Sequence, residues 1–165
     1  STEQAAAIHE TTATMEELTG ASHQIAENAQ MVASIAEIVI MINSGRILKY
    51  ITLKNMIFFS CLAASARWCL LWRAVTVAEI MIAQLLHAFT YGTFHVASIL
   101  YMDRLSTGQT RTLGQAANNA VSYGLGMMAG FMLNGYLYET YGARLFLMSA
   151  CVSLAAAVVF KILGR

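Results

Sequence analysis

Downstream of Leu53 the chain is written in apolar runs separated by short polar stretches. Leu53 to Trp72, Val75 to Met102, Leu113 to Tyr138 and Leu145 to Leu163 each reach the roughly 20 residues that a helix needs to cross a bilayer core. The pattern predicts four full spans. Ahead of them Ile38 to Ile42 is apolar but short, and extending it backwards would draw Glu27, Asn28, Gln30 and Glu37 into lipid at a cost of several kcal/mol (about 2.5 or more per centrally placed charge). It reads as the end of a truncated fifth span. Upstream, Ile8, Met15, Leu18, Ser22, Ile25, Ala29, Val32 and Ala36 step by three, four and seven, the a/d spacing of a coiled-coil helix whose stripe needs a helix partner to bury it. The two patterns meet near Ala36. The chain therefore divides into residues 1–36 and 37–165.

Composition agrees with a lipid solvent for the second part. The 165 residues are 58% hydrophobic and 12% charged, with a mean hydropathy of +0.58, more apolar surface than a soluble domain of this size can hide. There is no proline, so long helices meet no obligatory break, and the predicted fold class is all-α: a polytopic membrane helical bundle with an N-terminal coiled-coil-like helix. Ser1 to Glu37 holds six glutamates and no lysine or arginine. No basic start followed by an apolar core marks a signal peptide. Cys61, Cys69 and Cys151 lack metal-ligand spacing and lie in apolar runs, as buried thiols would. The net charge of +1 is spread out, which argues against a nucleic-acid partner.

Charge sidedness gives an orientation. Arg46, Lys49, Lys54, Arg104, Arg111, Lys161 and Arg165 fall on one side of the predicted spans, against Arg73 and Arg144 on the other. The positive-inside rule puts the first group, the C-terminus and the N-terminal helix in the cytoplasm, with Trp68 and Trp72 as an aromatic belt at the outer interface.

Two resemblances rest on particular residues. The run TEQAAAIHETTATMEELTGASHQIAENAQ resembles the first adaptation helix of methyl-accepting chemotaxis proteins. That resemblance implies methylation candidates at Glu3, Glu10 and Glu17, seven residues apart, with His9 a departure beside Glu10. From about Glu37 onward the chain is similar to the C-terminal part of major facilitator superfamily transporters, in the phenylpropionate permease and nucleoside/proton symporter branch. This is carried by Ser44-Gly45-Arg46, Arg67-Trp68, AQLLHAFTYGTFHVAS at 83 to 98 and GQAANNAVSYGLGMMAGFMLNGYLYETYG at 114 to 142. The Ser44 to Tyr50 loop lacks the superfamily's aspartate. The resemblance implies a multi-pass protein of the bacterial inner membrane, whose partners are the lipid bilayer, a small organic substrate (an aromatic acid or nucleoside) and a proton, with no cofactor and no enzyme activity. A chain carrying part of one half is expected not to transport on its own.

Candidate chemistry lies on the second and third spans. Gln84, His87, Tyr91, His95 and Ser98 recur at three- and four-residue steps on one helix face, where imidazoles can exchange protons or hold substrate, or can be hydrogen-bonded across helices for packing alone. His87 and His95 are about 12 Å apart along the axis, too far to share a metal. Gln115, Asn118, Asn119, Ser122 and Tyr123 offer a second polar group, for substrate or for helix contacts. Ala116, Ala120, Gly124, Gly126 and Gly130 form small-residue stripes that predict close helix approach. Gly124 to Ala129 fits a dinucleotide-binding spacing, but no strand precedes it and that reading is rejected. Arg67 can snorkel, face a pathway and attract an anionic acid, or pair with Glu79. Three functional classes stay open: a transporter portion, a chemotaxis adaptation module, and a fusion without activity of its own.

Overall fold

The computed structural model describes residues 2–163; Arg165, assigned to the cytoplasmic side above, lies outside them. Among the described residues the chain is helical throughout: α1 (Thr2–Ile47), α2 (Leu53–Arg73), α3 (Val77–Leu105), α4 (Arg111–Asn119), a π-helical turn (Ala120–Leu125), α5 (Gly126–Tyr141) and α6 (Arg144–Leu163). Three of them, α1, α2 and α6, are long and apolar enough to cross a membrane. The bounds of α2, α3 and α6 match the predicted spans closely. The run from Leu113 to Tyr138 is one helical path, with the π turn set into it.

α1 is where the sequence expectation changes most. No proline or glycine interrupts residues 21–44, so the helix passes through the compositional seam without a break. The short apolar run at Ile38 to Ile42 is thus the end of a helix about 69 Å long at 1.5 Å per residue, and Ser44 to Ile47, expected in a loop, are still helical. Ile25, Ala29, Val32, Ala33, Glu37 and Ile40 turn one face inward, and Ala29 and Ala33 are buried. The first turns stand clear: Ile8, Met15 and Leu18 are each more than 60% exposed, so no helix among the described residues covers the upstream half of the coiled-coil stripe.

Links of a few residues turn α2 back against α3 and α3 back against α4. Thr76 and Glu79 form a reciprocal capping box at the start of α3, with Glu79 Oε2 accepting from the Val75 and Thr76 amides at 2.9 and 3.0 Å. Gly142 closes α5 at φ +48°, a conformation that favours glycine. α3 is the centre of the bundle. It packs against α1, α2 and α4, while α2 also packs along α6. A core of Leu53, Met56, Ile57 and Ala97 joins α2 to α3, supported by Ile47, Phe94, Tyr101 and Phe160. Ser65 Oγ donates to the Ala150 carbonyl at 3.0 Å, locking α2 to α6, and Gln115 Nε2 donates to the Ile99 carbonyl at 2.8 Å, holding α4 on α3.

The close helix approach falls at a different glycine from those expected. A Cβ on Gly92 would lie 3.1 Å from Ile40 Cγ2, which is where α1 and α3 meet. Around Gly124 and Gly130 a Cβ would meet nothing within 4 Å, and at Gly126 only the Val121 carbonyl of its own π turn. No second helix lies within 4 Å of a Cβ at Gly124 or Gly130; among the described residues α5 packs against α6 and the π turn alone and leaves Phe131, Met132 and Leu133 exposed. Trp68 stacks on Phe146 in the first turn of α6 at 5.9 Å, and Trp72 is exposed. Of the three cysteines Cys61 is half-buried and Cys69 and Cys151 are exposed; a thiol in a helix that faces lipid need not be inside to be in an apolar solvent.

Candidate functional site

The inward stripe of α3 carries the site. His87, Tyr91 and His95 sit one turn apart because a four-residue step returns to the same helix face. Their rings form a column: His87 to Tyr91 is 5.8 Å between centroids, and Tyr91 stacks on His95 at 5.7 Å with the planes 8° apart. Neighbouring helices supply both ends. On the α1 side, Glu37 Oε1 lies 3.8 Å from His87 Nε2, an ion-pair distance once the ring is protonated. Glu37 was read above as a costly charge for a lipid-facing helix; instead it is half-buried against α3, where an imidazole offsets part of that cost.

At the other end His95 Nδ1 lies 2.7 Å from the Tyr123 hydroxyl. Tyr123 belongs to the π turn, where the Gly126 amide donates to the Val121 carbonyl five residues back. One extra residue per turn rotates the downstream helix about its axis, and such turns often occur at functional sites. Tyr123 also meets Tyr91 edge-on at 6.2 Å. Glu37, His87, Tyr91, His95 and Tyr123 are therefore a continuous polar and aromatic line across three segments of the bundle.

On the opposite flank of His87 lies a cavity of about 330 Å³ between α2, α3 and α6, at the small end of the roughly 300–1,000 Å³ usual for small-ligand sites. Its wall holds one permanent cation, Arg67, beside His87. Trp68, Tyr91 and Phe94 supply aromatic surface, and Ser60, Thr90 and Ser153 supply hydroxyls. Arg67 does not pair with Glu79, which is occupied in the capping box. Its Nε donates to the Ala83 carbonyl of α3 at 3.2 Å, and its guanidinium lies 4.5 Å from the Trp68 ring centroid. These two contacts hold a long side chain in place without neutralising it.

The remaining candidates are placed apart from this cavity. Gln84 is half-buried on α3 one turn before His87 and does not line it. Asn118 accepts from Ser122 Oγ at 3.5 Å at the end of α4, and Asn119 is exposed. Glu3, Glu10 and Glu17 share one exposed face of α1. Among the described residues no three His, Cys, Asp or Glu side chains converge as a metal site would require. Glu37 and the lining hydroxyls of α2 and α6 were missed by sequence reasoning. Glu37 had a signal, a lone carboxylate bordering an apolar run; Ser60 and Ser153 had none.

A family model described as the MFS_1 like family matches residues 14–148. The probable 3-phenylpropionic acid transporter of Escherichia coli is 25% identical over 122 residues, covering 74% of this chain and 32% of that protein. The Frizzy aggregation protein FrzCD of Myxococcus xanthus is 81% identical over 37 residues, 22% of this chain and 9% of that protein. The chain thus spans about a third of the length of one curated relative and about a tenth of the other. No solved structure matches it. With the match covering most of α1 and every helix from α2 to α5, and with apolar helices of membrane-crossing length, the chain belongs to the MFS_1 like family.

Proposed function

We propose that this chain is part of a secondary transporter for a small aromatic carboxylic acid, and that Arg67 and His87 hold the carboxylate while Trp68, Tyr91 and Phe94 enclose the ring. The observation that carries the reading is the single cavity shared by α2, α3 and α6, in which a fixed guanidinium and an imidazole stand beside aromatic walls. A guanidinium matches a carboxylate in a two-pronged geometry, and a protein-lined site makes the attraction stronger than in water. The 3-phenylpropionic acid transporter named above is the relative that suggests the substrate class. Translocation in such proteins involves two halves rocking about a central site, so the activity proposed for these 165 residues by themselves is binding. Binding of labelled 3-phenylpropionate to the purified chain in nanodiscs tests it; binding no greater than that of cyclohexanol, which lacks both the charge and the ring electrons, would end the proposal.

Proton coupling, in the same proposal, runs along Glu37, His87, Tyr91, His95 and Tyr123. A phenol is a stronger acid than a neutral imidazole, so the Tyr123 hydroxyl donates to His95 Nδ1 and leaves the ring hydrogen on Nε2. Tyr123→Phe is expected to remove that preference. Nitrogen NMR of imidazole-labelled protein should find His95 in the Nε2–H form in the parent chain and in a mixture of tautomers in the variant. Identical spectra would take Tyr123 out of the line. The inner bacterial membrane is the location that fits this reading, with the basic ends of the helices in the cytoplasm.

A second reading is favoured by one observation, the 81% identity to FrzCD over 37 residues. In this reading residues 1–36 are a chemoreceptor-like helix joined to the transporter portion, residues 37–165. Glu3, Glu10 and Glu17, exposed and two turns apart, are then substrates for carboxyl methylation, which removes like-charge repulsion along a helix face. Incubation with a chemotaxis methyltransferase and a labelled methyl donor should mark Glu17, with its neighbour Glu16 completing the acidic pair, and Glu17→Ala should lower the signal. Absence of label on the parent chain would leave this helix as a solvated acidic face.

A further inference from the structure

The antiparallel pairing of α2 and α6 brings the first turn of one beside the last turn of the other, at the end of the bundle where basic residues gather. There, Lys54, Asn55, Phe58, Phe59, Phe160 and Lys161 line a pocket of about 250 Å³. It lies at the far end of α2 from Arg67 and belongs to no part of the site described above. Lys161 Nζ lies 4.9 Å from the Phe58 ring centroid, so its cation is held over an aromatic face. Neither lysine has a carboxylate partner: the ion pairs among the described residues are Glu37 with His87 and Asp103 with Arg111. The start of α2 adds the positive end of its dipole. On the other side of Phe160 an apolar groove of about 400 Å³ runs between Tyr101, Ala156, Val159 and Leu163.

We propose that this paired pocket and groove is a binding site for an anionic phospholipid, with the headgroup phosphate between Lys54 and Lys161 and an acyl chain in the groove beyond Phe160. Two cations that line one pocket and have no carboxylate partner suit an anion, and basic pockets between membrane helices are suited to anionic headgroups. Phosphate alone would satisfy the lysines but leave the groove unused. The joining of the two at Phe160 is what assigns the lipid.

The test is native mass spectrometry of the whole chain, released from detergent with phosphatidylglycerol or phosphatidylcholine added in equal amounts, alongside a thermal melt in the same mixtures. Phosphatidylglycerol is expected to bind at least roughly fivefold more strongly per lysine engaged and to raise the melting midpoint, with the preference lost in Lys54→Gln/Lys161→Gln. Arg46→Gln/Lys49→Gln removes the same charge from the same end outside the pocket and should keep it. Equal binding of both lipids, equal loss in the two double variants, or the same stabilisation by inorganic phosphate would each overturn the proposal. If Lys54→Gln/Lys161→Gln does not fold, the single variants Lys54→Arg and Lys161→Arg, which keep the charge, should retain the preference, and its loss there would count against the site.

Discussion

Arg67→Ala is expected to weaken binding of 3-phenylpropionate by about 2 kcal/mol or more, roughly thirtyfold in Kd, the range for truncating one partner of a desolvated charge pair. The effect should be large because Arg67 is the permanent cation of the cavity, held by the Ala83 carbonyl and the Trp68 face. Arg67→Lys keeps the charge but loses the fork, so it should fall between the two. The corresponding amide, 3-phenylpropionamide, should bind the parent chain weakly and be nearly indifferent to Arg67→Ala. Equilibrium binding of both ligands to the three proteins, with helicity checked by circular dichroism, decides it. If acid and amide lose affinity equally, Arg67 is supporting the α2–α3 contact and is not reading the carboxylate.

Gly92→Leu is the second large effect, this time on stability. Gly92 is buried where α1 crosses α3, and even a Cβ there would lie 3.1 Å from Ile40 Cγ2. Ile40 is β-branched and stiff at χ1, so it cannot swing aside at little cost. Forcing an isobutyl group into the gap should cost about 1–3 kcal/mol. The strain would be relieved by lifting α1, which would also draw Glu37 away from His87. Thermal unfolding in detergent should show a clear drop in midpoint, with Gly92→Ala affected less. Gly130→Leu is the control, since space around its Cβ is open to 4 Å. Comparable losses at Gly92 and Gly130 would show that the α1–α3 crossing is not the specific weak point.

Much of the fold was legible because membrane helices are encoded by length and apolarity, which do not depend on neighbours. The predicted run Leu53 to Trp72 differs from α2 by one residue, and Leu145 to Leu163 from α6 by one. The start of α3 was placed two residues early, at Val75, because the capping box of Thr76 and Glu79 that sets its first turn at Val77 was not read from the sequence. What failed were inferences about which face meets which. The stripe at Gly124 and Gly130 has the composition of a close helix contact, yet no second helix comes within 4 Å of a Cβ placed there, whereas Gly92, surrounded by polar and aromatic residues, lies against Ile40 of α1. In lipid an apolar face is satisfied with or without a partner, so apolarity alone carries little information about contacts.

The sequence by itself determined that this is an all-helical membrane chain of the MFS_1 like family, and it put His87, Tyr91 and His95 on one face, because a helical period is a property of the backbone. Only the tertiary structure decided what that face meets. Glu37 of α1 and Tyr123 of the π turn reach the two ends of the α3 column from 50 and 28 residues away, and Arg67 turns toward the cavity and not toward Glu79 because Glu79 is already spent on the helix cap. Contacts between helices depend on the packing of all of them together, and no spacing within one helix records it.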